Sequence, residues 1–278
     1  MITENRNGTK RIAVIGAGTM GGGIATICLI HGLAVDLYDP DPGALERARG
    51  RIARRADAAA AQRLTLHLSL AEAVGAADFV IEAVPERIEL KLEIFSQLDR
   101  SAPQAAILAS NTSELPITVL AAATTRPDRV IGMHWFNPPE RMELVEVVRA
   151  VHTSEDTLNA TLALAGACGK TTVTVSDRQG FVTTRLLAAL LTEAVRMLEE
   201  GVASAEDIDK AVRLGLNHPM GPLELADYVG LDTVLFISEG MREALGDRFL
   251  APQTLRRLVD AGLLGRKSGQ GFYRHERG

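Results

Sequence analysis

The stretch RIAVIGAGTMGGGIATICLIHGLAVDLYD, residues 11–39, decides the fold class. It begins with a short run of apolar, partly β-branched residues, which is typical of a buried strand, and continues through a glycine-rich turn. The apolar segment that follows predicts a helix ending near Gly32, and LAVDLYD predicts a second strand. This order of strand, turn, helix and strand predicts one βαβ unit of a parallel sheet.

The turn has the pattern GxGxxG, formed by Gly16, Gly18 and Gly21. The pattern alone occurs by chance, but here a strand precedes it, a helix follows it and Asp39 ends the second strand. Gly16 permits the tight turn, Gly18 lets the backbone approach a pyrophosphate, and Gly21 allows close packing of helix and strand. Asp39 can accept both ribose hydroxyls of NAD and would repel the 2′-phosphate of NADP. We therefore expect an NAD site of the Rossmann type; the alternative is a Rossmann-like fold without a nucleotide.

Strands and helices continue to alternate as far as residue 176, which predicts an α/β domain with a mostly parallel sheet. Helices are expected over Asp41–Arg63, over Arg87–Leu98, after Pro116 and over Ser154–Cys168. Further strands are expected in LTLHL, ADFVIEAV, AAILAS, RVIGMHW, ELVEVVR and TTVTVS. ELVEVVR follows RVIGMHW closely enough for the two to pair in antiparallel orientation.

From Gly180 onward the patterns predict helices alone, at about 181–200, from Ser204, and at about 222–229, 232–245 and 252–261. The boundary near residue 180 predicts two domains. The first is a Rossmann-type NAD-binding domain, residues 1–179, of which 1–10 are expected to be a disordered tail. The second is an all-helical C-terminal domain, residues 180–278, for substrate binding and dimerisation.

The composition excludes several classes of protein. With 46% hydrophobic and 23% charged residues and a net charge of -5, the chain is typical of soluble globular proteins and not of nucleic-acid binders. No apolar run is long enough for a membrane span, and MITENRNGTK lacks the apolar core of a signal peptide. Cys28 and Cys168 are expected to be buried free thiols in a reducing compartment, the cytoplasm. The six histidines show no metal-ligand spacing, so no metal is expected.

Candidate chemistry lies near the ends of predicted strands. His134 ends one strand and Glu146 lies inside the next, where a lone buried carboxylate would be costly. In a hairpin Glu146 can reach His134, fix its tautomer and favour its cationic form, so that His134 can accept a proton from a substrate hydroxyl. Each residue alone is also explained as a polar group of the core. Ser113, in SNTSE, either contacts a ligand at the end of the preceding strand or serves as the N-cap of the next helix.

Seven ordered motifs resemble the L-3-hydroxyacyl-CoA dehydrogenase family, and within it the 3-hydroxybutyryl-CoA dehydrogenases, across about residues 11–274. These motifs are GAGTMGGGIA, VIEAVPE, ASNTSEL, GMHWFNPPERMELVEV, GFVTTRLL, NHPMGPLELADYVGLD and LGRKSGQGFY. The resemblance implies NAD-dependent interconversion of a 3-hydroxyacyl and a 3-oxoacyl thioester, a place in fatty acid metabolism, and a homodimer formed through the C-terminal domain.

The resemblance also implies roles for individual residues. His134 is the general base, Glu146 its partner, and Ser113 a hydrogen-bond donor to the substrate's 3-oxygen. The implied cofactor residues are Gly16, Ala17, Gly18, Thr19, Met20, Gly21, Asp39, Glu86, Lys91, Ser113, Asn137 and Lys267. The implied substrate residues are Lys91, Asn111, Ser113, Thr184 and Arg55.

Two departures from the family pattern bear on the substrate. The family usually has Asn where GFVTTRLL has Thr184, whose shorter hydroxyl is a weaker substitute for an amide donor. The segment between Asp39 and Glu86 is shorter than in the family, whose members usually have a longer helical hairpin here that holds part of CoA. It contains instead six arginines within residues 47–63, which form either a solvated helix face or a site for phosphates or an acidic carrier protein.

Three functions therefore remain. The first is a 3-hydroxyacyl-CoA dehydrogenase, and the second is a relative that acts on a carrier-protein-bound or other non-CoA 3-hydroxyacyl group. The third is a catalytically silent NAD-binding protein, against which the joint presence of Ser113, His134 and Glu146 argues.

Overall fold

A computed structural model describes residues 11–276. The chain divides between Arg178 and Gln179 into two compact units. The expected disordered tail at 1–10 lies outside the described residues. No helix in the described part of the chain combines the length and apolar character that crossing a bilayer requires.

The first unit is built on one eight-stranded sheet with the order β3-β2-β1-β4-β5-β6-β7-β8. Its strands are β1 (Arg11–Ile15), β2 (Ala34–Tyr38), β3 (Leu64–His67), β4 (Phe79–Glu82), β5 (Ile107–Ser110), β6 (Val130–Trp135), β7 (Leu144–Arg149) and β8 (Thr171–Ser176). Every neighbouring pair is parallel except β6 and β7, which are antiparallel. The predicted α/β class, the mostly parallel sheet and the antiparallel pair are confirmed.

The helices of this unit are α1 (Thr19–Ile30), α2 (Pro42–Ala53), α3 (Ala58–Ala61), α4 (Leu70–Val74), α5 (Ile88–Ser101), α6 (Ile117–Ala122) and α7 (Glu155–Ala167). The prediction of one helix over Asp41–Arg63 was wrong. Asp57 accepts a hydrogen bond from Ala60 N at 2.7 Å and so begins a separate short helix after α2 has ended. Helix α4 was not predicted, because five residues are too few to show a helical period.

One cluster of the core of the first unit joins the sheet to helices α1, α2 and α7. Nine of the twelve residues of α1 are buried, since β1, β2 and α2 surround it. Cys28 and Cys168 are both buried there, as predicted, and their thiols are in contact across α1 and the end of α7. A helix covered on so many sides holds the glycine turn at its N-terminus in a fixed position.

The second unit consists of α8 (Thr183–Glu199), α9 (Ala205–Gly215), α10 (Pro222–Val229), α11 (Leu231–Leu245) and α12 (Gln253–Asp260). Within residues 179–276 no regular strand is present, as predicted. The buried Asp227 anchors the C-terminal segment by accepting hydrogen bonds from Phe272 N and Tyr273 N, both at 2.9 Å. The Tyr273 hydroxyl in turn donates a hydrogen bond to Asp209 at 2.8 Å. These contacts give the end of the segment GRKSGQGFY a structural role.

Candidate dinucleotide and proton-transfer site

The glycine turn joins β1 to α1 in a backbone conformation that other residues would strain. Gly16 has φ of +103°, and a Cβ on it would lie 2.7 Å from Ala83 O. A Cβ on Gly21 would lie 1.8 Å from Gly16 O. Around Gly18, in contrast, no atom lies within 4 Å of the Cβ position, so this residue borders open space. The turn therefore has the close packing and the exposed backbone that a pyrophosphate site requires.

Asp39 follows β2 beside this turn. Its carboxylate accepts hydrogen bonds from Ala17 N at 2.8 Å and from Asp41 N at 2.9 Å. These two amides hold the carboxylate in one orientation at the carboxyl end of the sheet. Its remaining lone pairs are available to ribose hydroxyls, because a carboxylate has about four acceptor sites.

A cavity of about 760 Å³ opens over the turn, a volume typical of a ligand site. Eight residues predicted for the cofactor or substrate line it: Gly16, Gly18, Thr19, Met20, Asp39, Glu86, Asn111 and Ser113. Ala17 and Gly21 are buried within the turn. The glycine turn, the carboxylate of Asp39 and the volume of the cavity fit a dinucleotide.

Part of the lining was missed by sequence reasoning. Leu90, Ile94 and Gln97 of α5 border the cavity, and Tyr38 and Pro40 flank Asp39. The spacing of 90, 94 and 97 places these three side chains on one face of α5. That face could have been recognised from helical periodicity, but not as part of a nucleotide site.

Glu86 organises the loop after β5. Its carboxylate accepts hydrogen bonds from the Thr112 hydroxyl and from Ser113 N, the latter at 2.9 Å. Thr112 also accepts from Leu115 N at 2.9 Å, which tightens the turn. Glu86 therefore positions Ser113 at the edge of the cavity.

Lys91 is fully buried behind this loop. Its Nζ lies 2.7 Å and 2.9 Å from the two carboxylate oxygens of Glu82 and 3.4 Å from Glu86 Oε2. Glu82 also accepts from Ser110 Oγ at 2.6 Å. Burial raises the pKa of the Glu82 carboxyl, and the charge of Lys91 opposes that rise. The described contacts of Lys91 are thus structural, and its contact with cofactor and substrate stays a prediction.

The hairpin of β6 and β7 brings His134 and Glu146 together. The two residues are direct register partners, and His134 Nδ1 lies 2.7 Å from Glu146 Oε2. The predicted reach of Glu146 to His134 is confirmed. Glu146 is fully buried and His134 is 6% exposed, so the pair is shielded from water. Shielding strengthens the hydrogen bond between the imidazole and the carboxylate.

Two predicted asparagines lie near His134, one after the neighbouring strand β5 and one in the loop of the hairpin. Asn111 Oδ1 accepts a hydrogen bond from Trp135 N at 3.0 Å, which ties the end of β5 to the end of β6. Asn137 is exposed in the loop that follows β6. Lys170 donates to Pro139 O and Met142 O, both at 2.7 Å, and so anchors that loop.

Comparison with known proteins identifies the family. Residues 11–178 match the model of the 3-hydroxyacyl-CoA dehydrogenase NAD-binding domain, and residues 180–275 match that of the 3-hydroxyacyl-CoA dehydrogenase C-terminal domain. The chain belongs to the 3-hydroxyacyl-CoA dehydrogenase family. It is therefore an oxidoreductase of this family, and its cofactor is NAD.

Individual relatives agree with this membership over nearly the whole chain. The chain is 48% identical to a probable 3-hydroxybutyryl-CoA dehydrogenase of Bacillus subtilis, covering 96% of this chain and 98% of the relative. It is 43% identical to a 3-hydroxybutyryl-CoA dehydrogenase of Mycobacterium tuberculosis, covering 95% and 98%. The crystal structure of the (S)-3-hydroxybutyryl-CoA dehydrogenase of Ralstonia eutropha superimposes with a TM-score of 0.93 at 40% identity, covering 97% and 100%.

Two predicted site residues lie in the second unit. Thr184 is buried in the first turn of α8. Gly180 precedes it with φ of +71°, and a Cβ there would overlap Met241 Cε. Lys267 forms an ion pair with Asp232, and both side chains are about half exposed. The roles of Thr184 and Lys267 toward ligands stay predictions.

The six arginines within residues 47–63 mostly have partners within the chain. Arg47 pairs with Asp41, Arg49 with Glu46, and Arg55 with Glu140. Arg51 and Arg63 donate to backbone carbonyls. Most of this set is therefore engaged in intramolecular contacts, and a site for phosphates or a carrier protein here would have to compete with them.

Proposed function

We propose that this protein interconverts 3-hydroxyacyl-CoA and 3-oxoacyl-CoA with NAD, acting on a short acyl chain. One observation supports the chemistry above all, the buried contact of 2.7 Å between His134 Nδ1 and Glu146 Oε2. The names of the relatives support the CoA thioester and the four-carbon chain.

His134 is the general base in this proposal. Its Nδ1–H donates to Glu146, and its Nε2 accepts the proton of the 3-hydroxyl group. As the O–H and C3–H bonds break, the C3=O double bond forms and the proton remains on Nε2. Glu146 stabilises the resulting imidazolium through a charge-assisted hydrogen bond. When bound, NAD supplies the acceptor for the hydride that leaves C3.

The cavity residues hold the cofactor in this proposal. The amides of the glycine turn bind the pyrophosphate and Asp39 binds the ribose adjacent to adenine. Ser113, positioned by Glu86, donates to the substrate's 3-oxygen beside the nicotinamide. Of the remaining predicted residues, Lys91, Asn137 and Lys267 contact the cofactor. Asn111, Thr184 and Arg55 contact the substrate.

The test compares acyl carriers. The same 3-hydroxybutyryl group is offered on CoA and on an acyl carrier protein, with NAD, and NADH formation is followed by absorbance. We expect the CoA thioester to give the higher kcat/KM by a wide margin. A preference for the carrier protein would support the second function considered above, and no NADH formation from either thioester would contradict the proposal.

We further propose that the helical unit forms a homodimer. Apolar side chains of this unit are more than half exposed at Leu186, Val202, Leu214, Leu216, Tyr228 and Phe236. Exposed apolar side chains mark a protein interface where they form one contiguous patch, and the dimer proposal expects these side chains to do so. Light scattering after size exclusion should give twice the 29.8 kDa of one chain. A mass of one chain at micromolar concentration would contradict the dimer.

A further inference from the structure

Arg51 of α2 contacts the backbone of the glycine turn. Its Nη2 donates hydrogen bonds to Ala17 O at 3.0 Å and to Gly18 O at 3.1 Å. These two carbonyl groups belong to the part of the turn that borders the cavity, whereas Arg51 itself is not among the residues lining the cavity. The guanidinium group therefore contacts the turn without itself lining the cavity.

The contact fixes the direction of two amides. In a trans peptide the carbonyl and the N–H of the following residue point in opposite directions. Holding Ala17 O and Gly18 O therefore directs the N–H groups of Gly18 and Thr19 away from Arg51. Among residues 11–276, neither of these amides has a hydrogen-bond acceptor. They are the donors that an anion at the N-terminus of α1 would use.

Gly22 provides the space for this contact. It lies in the first turn of α1, and a Cβ on it would come within 2.9 Å of Arg51 Nη2 and 3.6 Å of Arg51 Nε. The third nearby atom, Ala48 Cβ, would be at an ordinary contact distance of 3.6 Å. Glycine is unfavourable inside a helix, so its presence at this position is explained by the guanidinium that packs against it.

We propose that Arg51 is a positioning residue for the pyrophosphate of NAD. It orients the Gly18 and Thr19 amides toward the cavity and adds a positive charge beneath them, where the helix dipole already favours an anion. Two observations support this role: the paired carbonyl contacts, from which the direction of the amides follows, and the glycine that makes room for the guanidinium group. The inference depends on NAD as the cofactor and not on the identity of the acyl substrate.

The test measures NADH binding by fluorescence titration and therefore needs no acyl thioester. For Arg51→Gln we expect a rise in the dissociation constant of about tenfold, as expected for the loss of hydrogen bonds from a charged group. Arg51→Lys, which keeps the charge but loses the planar fork, should raise it by about threefold. With any thioester that the enzyme oxidises, KM for NAD should rise in parallel while kcat changes less than about twofold.

Gly22→Ala separates positioning from stability. The added methyl group displaces the guanidinium, so NADH binding should weaken by about fivefold, yet the melting temperature should not fall because alanine favours the helix. Arg49→Gln is the matched control, since it removes an equal charge from an exposed position of the same helix and should leave NADH binding unchanged.

Two results would overturn the inference. One is NADH binding of wild-type strength in both Arg51→Gln and Gly22→Ala. The other is an equal loss in Arg49→Gln, which would make the effect one of overall charge. If Arg51→Gln fails to fold, Gly22→Ala decides the question alone.

Discussion

Two carboxylates of the α/β unit, Glu82 and Glu146, are both fully buried and both hydrogen-bonded to a basic side chain. Glu82 is bonded to Lys91, and Glu146 is bonded to His134. Burial alone would place them in one category. Their partners differ in chemistry, because imidazole is the side chain that most often serves as an acid or base in catalysis, whereas lysine and a carboxylate form an ion pair.

The surroundings of Glu82 are those of a structural group. Besides Lys91 it accepts hydrogen bonds from Ser110 Oγ at 2.6 Å and from Val84 N at 2.7 Å, and so joins β4, β5 and α5. Glu146 instead lies on β7 beside an imidazole at the rim of the hairpin. A buried carboxylate therefore indicates proton transfer only when its partner can itself change charge.

The largest effect is expected for His134→Gln. Loss of a general base costs about 10²–10⁴-fold in turnover, and we expect kcat for NADH formation to fall by that factor. The dissociation constant of NADH should stay within about twofold, because the cavity over the glycine turn is unchanged. Near-normal NADH formation by this variant would remove His134 from the mechanism.

Glu146→Gln should reduce kcat by about 10²-fold, since an amide cannot stabilise the imidazolium as a carboxylate does. The free energy of unfolding should change by less than about 1 kcal/mol, because a neutral imidazole can keep a hydrogen bond to the amide. Chemical denaturation and NADH formation measure the two quantities. A large loss of stability with little loss of kcat would assign Glu146 a structural role like that of Glu82.

Glu82→Gln should show the opposite pattern. Removing one partner of a buried ion pair leaves Lys91 without full compensation, and the free energy of unfolding should fall by about 3 kcal/mol. Turnover per folded molecule should fall by less than about tenfold. Glu89→Gln on the exposed side of α5 is the control for loss of one charge. Unchanged stability in Glu82→Gln would contradict the structural role.

The smallest effect concerns Thr184. Thr184→Asn restores the amide of the family motif, and because a preorganised donor near the reacting oxygen contributes to rate, we expect kcat on 3-hydroxybutyryl-CoA to rise by about tenfold. The readout is the ratio of kcat between the variant and the wild type on this substrate. A ratio of about one would mean that Thr184 is a structural residue of α8.

Local patterns were sufficient for most of the fold. The GxGxxG turn, the alternation of strands and helices and the short connection between β6 and β7 each depend on residues close in sequence. For the same reason the contact of Glu146 with His134, twelve positions apart in one hairpin, could be predicted. The prediction of one long arginine-rich helix was wrong because residues that favour helix occur throughout the segment. The N-cap at Asp57, which begins a second helix, was not recognised.

Contacts between distant segments could not be predicted. Ser110 reaches Glu82 across 28 positions and Arg51 reaches Ala17 across 34. Asp177 accepts hydrogen bonds from Ile117 N and Thr118 N, about 60 positions away, and so begins α6. Periodicity indicates which face of an element is buried, but it does not say which polar side chain of another element meets it.

A double-mutant cycle tests the central claim, that His134 and Glu146 act as one proton-transfer unit. NADH formation is measured at saturating NAD and 3-hydroxybutyryl-CoA for the wild type, for His134→Gln, for Glu146→Gln and for the double variant. Because Glu146 acts only through His134, the double variant should retain the rate of His134→Gln within about threefold. Losses that multiply, with a double variant about 10²-fold slower than His134→Gln, would show independent roles and contradict the account.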